Sequence, residues 1–157
     1  MKLSEYLNEE LVAVQVVAES WQEAVRSGGE LLLKADVCEP RYLDAMVDAV
    51  EQMGPYMVLA PGIALAHARP EDGVKQVGLA IINLKDPVEF GSEANDPVSL
   101  VIAFGGVDKE SHIELLQSLA ALLLDEEKQK LLKTAVTVEQ LLAAVRQAEQ
   151  GLGGRNE

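Results

Sequence analysis

Pro61-Gly62-Ile63-Ala64-Leu65-Ala66-His67-Ala68-Arg69-Pro70-Glu71-Asp72-Gly73 is a short apolar run that breaks into a polar turn, with one of the chain's two histidines at the junction. Successive side chains of a strand point to opposite faces, so Ile63, Leu65 and His67 share one side and Ala64, Ala66 and Ala68 the other. Arg69-Pro70 and Asp72-Gly73 are turn-forming pairs, so the strand ends where the imidazole sits. The segment delivers a histidine to the rim of a sheet. Its small neighbours leave room for another molecule to approach the ring.

The flanks supply the rest of the sheet. Leu11 to Val17 reads as a short β-branched strand, and Met57 to Ala60 and Gly62 to His67 as extended pieces separated by Pro61. Val77 to Leu84 and Val98 to Phe104 are almost continuously apolar, the pattern of central strands covered on both faces. Lys85 to Pro97, the polar connection between them, has room for a small hairpin.

Ser20 predicts the cap of a helix from Trp21 to about Leu33, with Glu23 completing a capping box and Gly28-Gly29 weakening or splitting it. Pro40 suits the first position of a second helix carrying Tyr42, Met46, Val50 and Met53, which Gly54-Pro55 stops. From Ser111, the residues Ile113, Leu116, Leu119, Ala120 and Leu123 recur at helical spacing. Asp125-Glu126-Glu127 and Thr137-Val138-Glu139-Gln140 open two more helices, ending near Ala148. The expected fold class is α/β: one sheet of four or five strands, with helices on both faces. Residues 1–149 read as one domain and 150–157 as a disordered tail.

The chain has 157 residues, 48% of them hydrophobic and 25% charged, enough for one domain with a real core. Two Phe, three Tyr and one Trp make that core mainly aliphatic. With 26 acidic and 13 basic side chains the net charge is −13, which disfavours nucleic acid and anionic membranes and suits either basic partners or plain solubility. No stretch reaches the ~20 apolar residues of a membrane helix, and the N-terminus lacks a signal-peptide profile. Cys38 is the single cysteine, so no intramolecular disulfide forms. These features predict a cytoplasmic protein without direct membrane insertion.

The residues from Pro61 to Gly73 resemble the phosphorylation-site motif of the IIA proteins of the bacterial sugar phosphotransferase system. The similarity is to the mannitol/fructose-type superfamily, and most closely to its ascorbate-specific branch. Asp108-Lys109-Glu110-Ser111-His112-Ile113-Glu114-Leu115 is similar to the family's second active-site histidine at the head of a helix. Two motifs in the right order, within elements that match through about residue 145, make the resemblance specific. It implies a mixed five-stranded sheet, His67 as phosphoryl acceptor and donor, and His112 as its supporting partner. It further implies phospho-HPr as donor and a separate IIB protein, whose cysteine takes the phosphoryl group. A membrane IIC permease would then couple transfer to uptake of ascorbate or another carbohydrate. The alternative is a regulatory module of the same fold that controls a transporter, kinase or transcription factor. Relatives carry proline before the phosphorylated histidine; Ala66 stands there in this chain, which loosens the strand end. The mannitol/fructose branch also has an arginine late in the preceding helix, and Val50-Glu51-Gln52-Met53 has none.

The chemistry of the residues agrees. A carrier histidine must be neutral and expose one ring nitrogen, while transfer itself depends on positioning and on neutralising the moving oxygens. Arg69, two residues on, projects from the same face if the strand continues, and a guanidinium binds phosphate bidentately. It has a second reading, as a surface side chain paired with Glu71 or Asp72. Ser111 to Glu114 has the S-x-x-E capping pattern, which places His112 in a first helical turn, where N–H groups and dipole favour an anion. Ser111 and Arg69 are thus the phosphate-binding candidates. Without the motif, either histidine would read as structural or solvent-facing. Cys38 reads as an inert thiol, and two histidines without a Cys or carboxylate cluster fall short of a metal site, so neither metal nor cofactor is expected. A homodimer is left open.

Overall fold

The computed structural model describes residues 2–154, with backbone alone at 55, 56 and 150–154. Among these residues five strands form one mixed sheet: β1 (Val12–Val16), β2 (Val58–Ala60), β3 (Ile63–Ala66), β4 (Gly78–Val88) and β5 (Val98–Gly105). Their order is β1-β4-β5-β3-β2. β1 lies parallel to β4 and β3 parallel to β5, while β4–β5 and β2–β3 are antiparallel. The two apolar runs, β4 and β5, are interior strands, as their composition requires, and β3 is the third. β4 itself extends through the expected loop hairpin, pairing Val88 with Val98. The turn beyond is tied by the Asp96 carboxylate, which accepts the N–H groups of Phe90, Gly91 and Ser92.

Helices α1 (Trp21–Lys34) and α2 (Pro40–Met53) cover one face. Ser20 Oγ accepts the Glu23 N–H at 3.2 Å, so the expected cap forms, while Glu23 reaches back to the Glu19 N–H at 2.8 Å instead of closing a box on the Ser20 N–H. Gly28-Gly29 does not split α1. Both glycines are buried, and a Cβ on Gly28 would lie 3.2 Å from Ala103 of β5, one on Gly29 2.8 Å from Leu43 of α2. Their missing side chains are what let α1 close on sheet and neighbour, and packing outweighs poor helix propensity here.

The other face carries α3 (Lys109–Leu122), α4 (Glu126–Thr134) and α5 (Val138–Gly154). α5 is longer than the end near Ala148 predicted. The expected tail at 150–157 falls on residues described by backbone only or lying outside the described residues. Asn83 is a fully buried polar residue of β4. Its amide accepts the Gln15 N–H and donates to the carbonyls of Leu132 and Ala135, tying the irregular edge of β1 to the end of α4. A buried amide keeps its place only when so satisfied. Among the described residues no helix is long and apolar enough to cross a membrane.

Candidate active site

β3 and β5 pair in parallel from Ile63↔Leu100 to Ala66↔Ala103, so one step further brings His67 level with Phe104. The ladder stops at Ala66, yet the alternation carries through. The His67 imidazole lies on the Phe104 ring, centroids 4.7 Å apart and planes 24° apart. His112 enters from α3, its ring 5.2 Å from His67 and 5.7 Å from Phe104. The two histidines that the sequence placed 45 positions apart meet at the carboxyl ends of β3 and β5, where parallel strands characteristically present ligands.

The tautomer of His67 follows from one contact. The Leu65 carbonyl oxygen lies 3.2 Å from Nδ1. A carbonyl only accepts, so Nδ1 carries the hydrogen and a neutral ring keeps its lone pair on Nε2. Burial holds the His67 pKa below the ordinary imidazole value; the Leu65 carbonyl opposes this and His112 adds to it. Burial lowers the His112 pKa as well. Both rings are therefore neutral at pH 7. His112 Nδ1 is buried without a hydrogen-bond partner among the described residues, a polar atom in need of one.

The cap of α3 lies three residues earlier than the S-x-x-E pattern indicated. Asp108 is the N-cap: its carboxylate accepts the Ser111 N–H at 2.8 Å. Ser111 Oγ in turn accepts the N–H groups of Val107 and Asp108 at 3.0 and 3.2 Å. His112 is the fourth helical residue, still in the first turn, but its amide already donates to the Asp108 carbonyl at 3.1 Å. The helix end is filled by a carboxylate, so the imidazole of His112, rather than helix amides, is the donor at hand. Ser111, the phosphate-binding candidate, has its hydroxyl committed to this cap.

Arg69 does not extend the face of His67 as a continued strand would have it. The chain leaves β3 and turns into a 3-10 segment at Pro70–Asp72. The guanidinium is exposed, 3.2 Å from Asp72 and 3.5 Å from Glu71, which is the second of its two sequence readings. It nonetheless lines the same open cleft of about 1030 Å³ as His67 and His112. Lys109, the first residue of α3, lines it too and has no ion pair among the described residues. Met53 and Val107 give the cleft exposed apolar rims. Cys38 is buried, which pushes its thiol up to about 11 and makes it a poor nucleophile.

Sequence reasoning missed Phe104 and Tyr42. Phe104 was legible only as strand core, and Tyr42 only as an apolar position of α2. Their contacts to the site cross 37 and 26 positions of sequence, beyond what local periodicity reports.

Comparison with known proteins places these features in context. Residues 5–148 match the family model of the phosphoenolpyruvate-dependent sugar phosphotransferase system, EIIA 2. The chain is 47% identical over 144 residues to the ascorbate-specific PTS system EIIA component of Shigella boydii, covering 90% of this chain and 94% of that one. Among solved structures it resembles the mannitol-specific cryptic phosphotransferase enzyme IIA CmtB of Escherichia coli, with TM-score 0.83, 36% identity, and coverage of 92% and 98%. It also resembles a chain in the complex of enzyme IIAMTL and phosphorylated enzyme IIBMTL of Escherichia coli, with TM-score 0.79, 31% identity, and coverage of 89% and 96%.

Proposed function

The chain belongs to the EIIA 2 family of the phosphoenolpyruvate-dependent sugar phosphotransferase system, and from that membership we propose that it carries a phosphoryl group on His67 between phospho-HPr and a IIB protein. The observation that carries this is the Leu65 carbonyl on His67 Nδ1, which leaves Nε2 as the nucleophile of a ring that lines the cleft. In the first step Nε2 attacks phosphorus. The N–P bond forms as the bond from phosphorus to the donor breaks, and the donor keeps that electron pair. The positive charge left on the His67 ring is shared through Nδ1–H with the Leu65 carbonyl. In the second step a IIB cysteine thiolate attacks phosphorus and the electron pair of the N–P bond returns to Nε2. Charge on the transferred oxygens is met by the neutral His112 donor and by Arg69 once it releases Asp72; Ser111 acts through the cap that sets His112.

The complex of relatives with a phosphorylated IIB supports a separate IIB partner here. The relatives named as ascorbate-specific EIIA components support ascorbate or a similar carbohydrate as the sugar served. Coupled uptake through a membrane IIC permease, with this component in the cytoplasm, completes the proposal. The experiment is the intact mass of the protein after incubation with phosphoenolpyruvate, enzyme I and HPr. One acid-labile phosphate on wild type that disappears in His67→Ala is expected. Phosphate retained by His67→Ala would refute the assignment.

A further inference from the structure

Tyr42 of α2 is fully buried, and its hydroxyl reaches the seam where β3 parts from β5. The oxygen lies 2.7 Å from the Phe104 carbonyl oxygen, 3.0 Å from the Ala68 nitrogen and 3.3 Å from the Ala68 carbonyl oxygen. A phenol has one hydrogen, which goes to the nearest acceptor, Phe104 C=O, while the oxygen accepts the Ala68 N–H. The β3–β5 register ends at Ala66↔Ala103, so these two backbone groups lie just past the last pair and would otherwise face each other across an opening seam. The hydroxyl fills that opening. Burial raises the phenol's pKa above its ordinary value, so the O–H persists throughout the working pH range.

The two groups that Tyr42 joins flank the reacting ring. Ala68 directly follows His67, and Phe104 supplies the ring on which His67 lies. Ala66, His67 and Ala68 contain no proline to fix the backbone, so the angle at which the imidazole leaves the sheet depends on that bridge. We propose that Tyr42 is a positioning residue for phosphoryl transfer. It holds His67 so that Nδ1 stays on the Leu65 carbonyl and Nε2 faces the cleft. This rests on the reading of His67 as the phosphoryl acceptor.

Tyr42→Phe keeps the ring and removes only the hydroxyl, and ¹⁵N-imidazole NMR reads the result directly. Wild type is expected to hold His67 in the Nδ1–H tautomer. The variant is expected to mix tautomers, to move the His67 pKa up toward its ordinary value, and to slow single-turnover phosphorylation by phospho-HPr about tenfold, with one phosphate per chain still reached. Thermal destabilisation with tautomer, pKa and rate unchanged would overturn the proposal. Should the variant fail to fold, hydrogen exchange on wild type decides: an Ala68 amide protected like the β5 ladder supports the bridge, and exchange at loop rates refutes it. Wild type that takes no phosphate would sink the acceptor reading, while the tautomer and exchange results still judge Tyr42.

Discussion

His67 and Phe104 stack with ring centroids 4.7 Å apart, although only Phe104 belongs to a strand. Phe104 is fully buried, so the histidine rests on a packed apolar platform. Such a pair contributes roughly 0.5–1.5 kcal/mol beyond the area it buries. Phe104→Leu keeps an apolar core residue and removes the platform. The expected result is a stability loss of about 1–3 kcal/mol in denaturant titration, with slower phosphorylation and a His67 pKa nearer its ordinary value. A His67 pKa unchanged by NMR would show that Phe104 does not set the desolvation of the ring.

The two lowered histidine pKa values make stability depend on pH with a definite sign. Above the unfolded histidine value, near 6.5, both states are neutral and these groups contribute nothing. As pH falls through that value the unfolded chain takes up protons that the folded chain refuses, so the folded state loses stability until its own lower pKa is reached. For His67 the loss is at most about 1.4 kcal/mol per pH unit within that window. Melting temperatures followed from pH 7.5 downward should therefore fall more steeply for wild type than for His67→Gln. Parallel curves would mean that burial does not depress this pKa.

Gly106 stands where no other residue fits. A Cβ there would come within 2.6 Å of the His112 backbone nitrogen and 2.8 Å of its Cα, so the first turn of α3 would have to move. Gly106→Ala should lower stability by about 1–3 kcal/mol as overpacking does, and slow phosphorylation by up to about a hundredfold, because His112 is displaced. Combining it with His112→Ala separates the two effects. If Gly106 acts through His112, the double variant transfers phosphate no more slowly than His112→Ala alone.

What could be read from the chain follows the range of each interaction. The facing of Leu65 with His67, the Pro40 start of α2 and the Ser20 cap depend on neighbours within a turn or a strand step, and each is where the sequence placed it. The α3 cap was displaced because Asp108 to Ser111 and Ser111 to Glu114 both suit a helix start, and only the loop after β5 selects the first. Gly28-Gly29 looked like a break because propensity is local, whereas the surfaces of Ala103 and Leu43 that demand glycine are not. Tyr42 was hidden for the same reason: an apolar α2 position carries no sign that its hydroxyl closes a strand seam.

Under the proposed carrier role, the cation that meets the phosphoryl group would be decided by competition between Arg69 and Lys109, both on the cleft. Arg69 has the planar fork suited to phosphate but is engaged by Asp72 through both side chain and backbone. That ion pair is exposed and therefore weak and salt-screened, so a phosphoryl dianion arriving on His67 can draw the guanidinium away. Lys109 has no such partner to leave but is a point charge on a flexible stem. With Arg69 as the clamp, Arg69→Ala slows transfer about tenfold, Lys109→Ala changes it little, and Asp72→Asn leaves it equal or faster. Asparagine keeps an acceptor for the Arg69 N–H while dropping the competing charge. Single-turnover rates with phospho-HPr distinguish the cases. Slow transfer confined to Lys109→Ala would move the clamp to α3 and leave Arg69 as a lock on the turn at Pro70–Asp72.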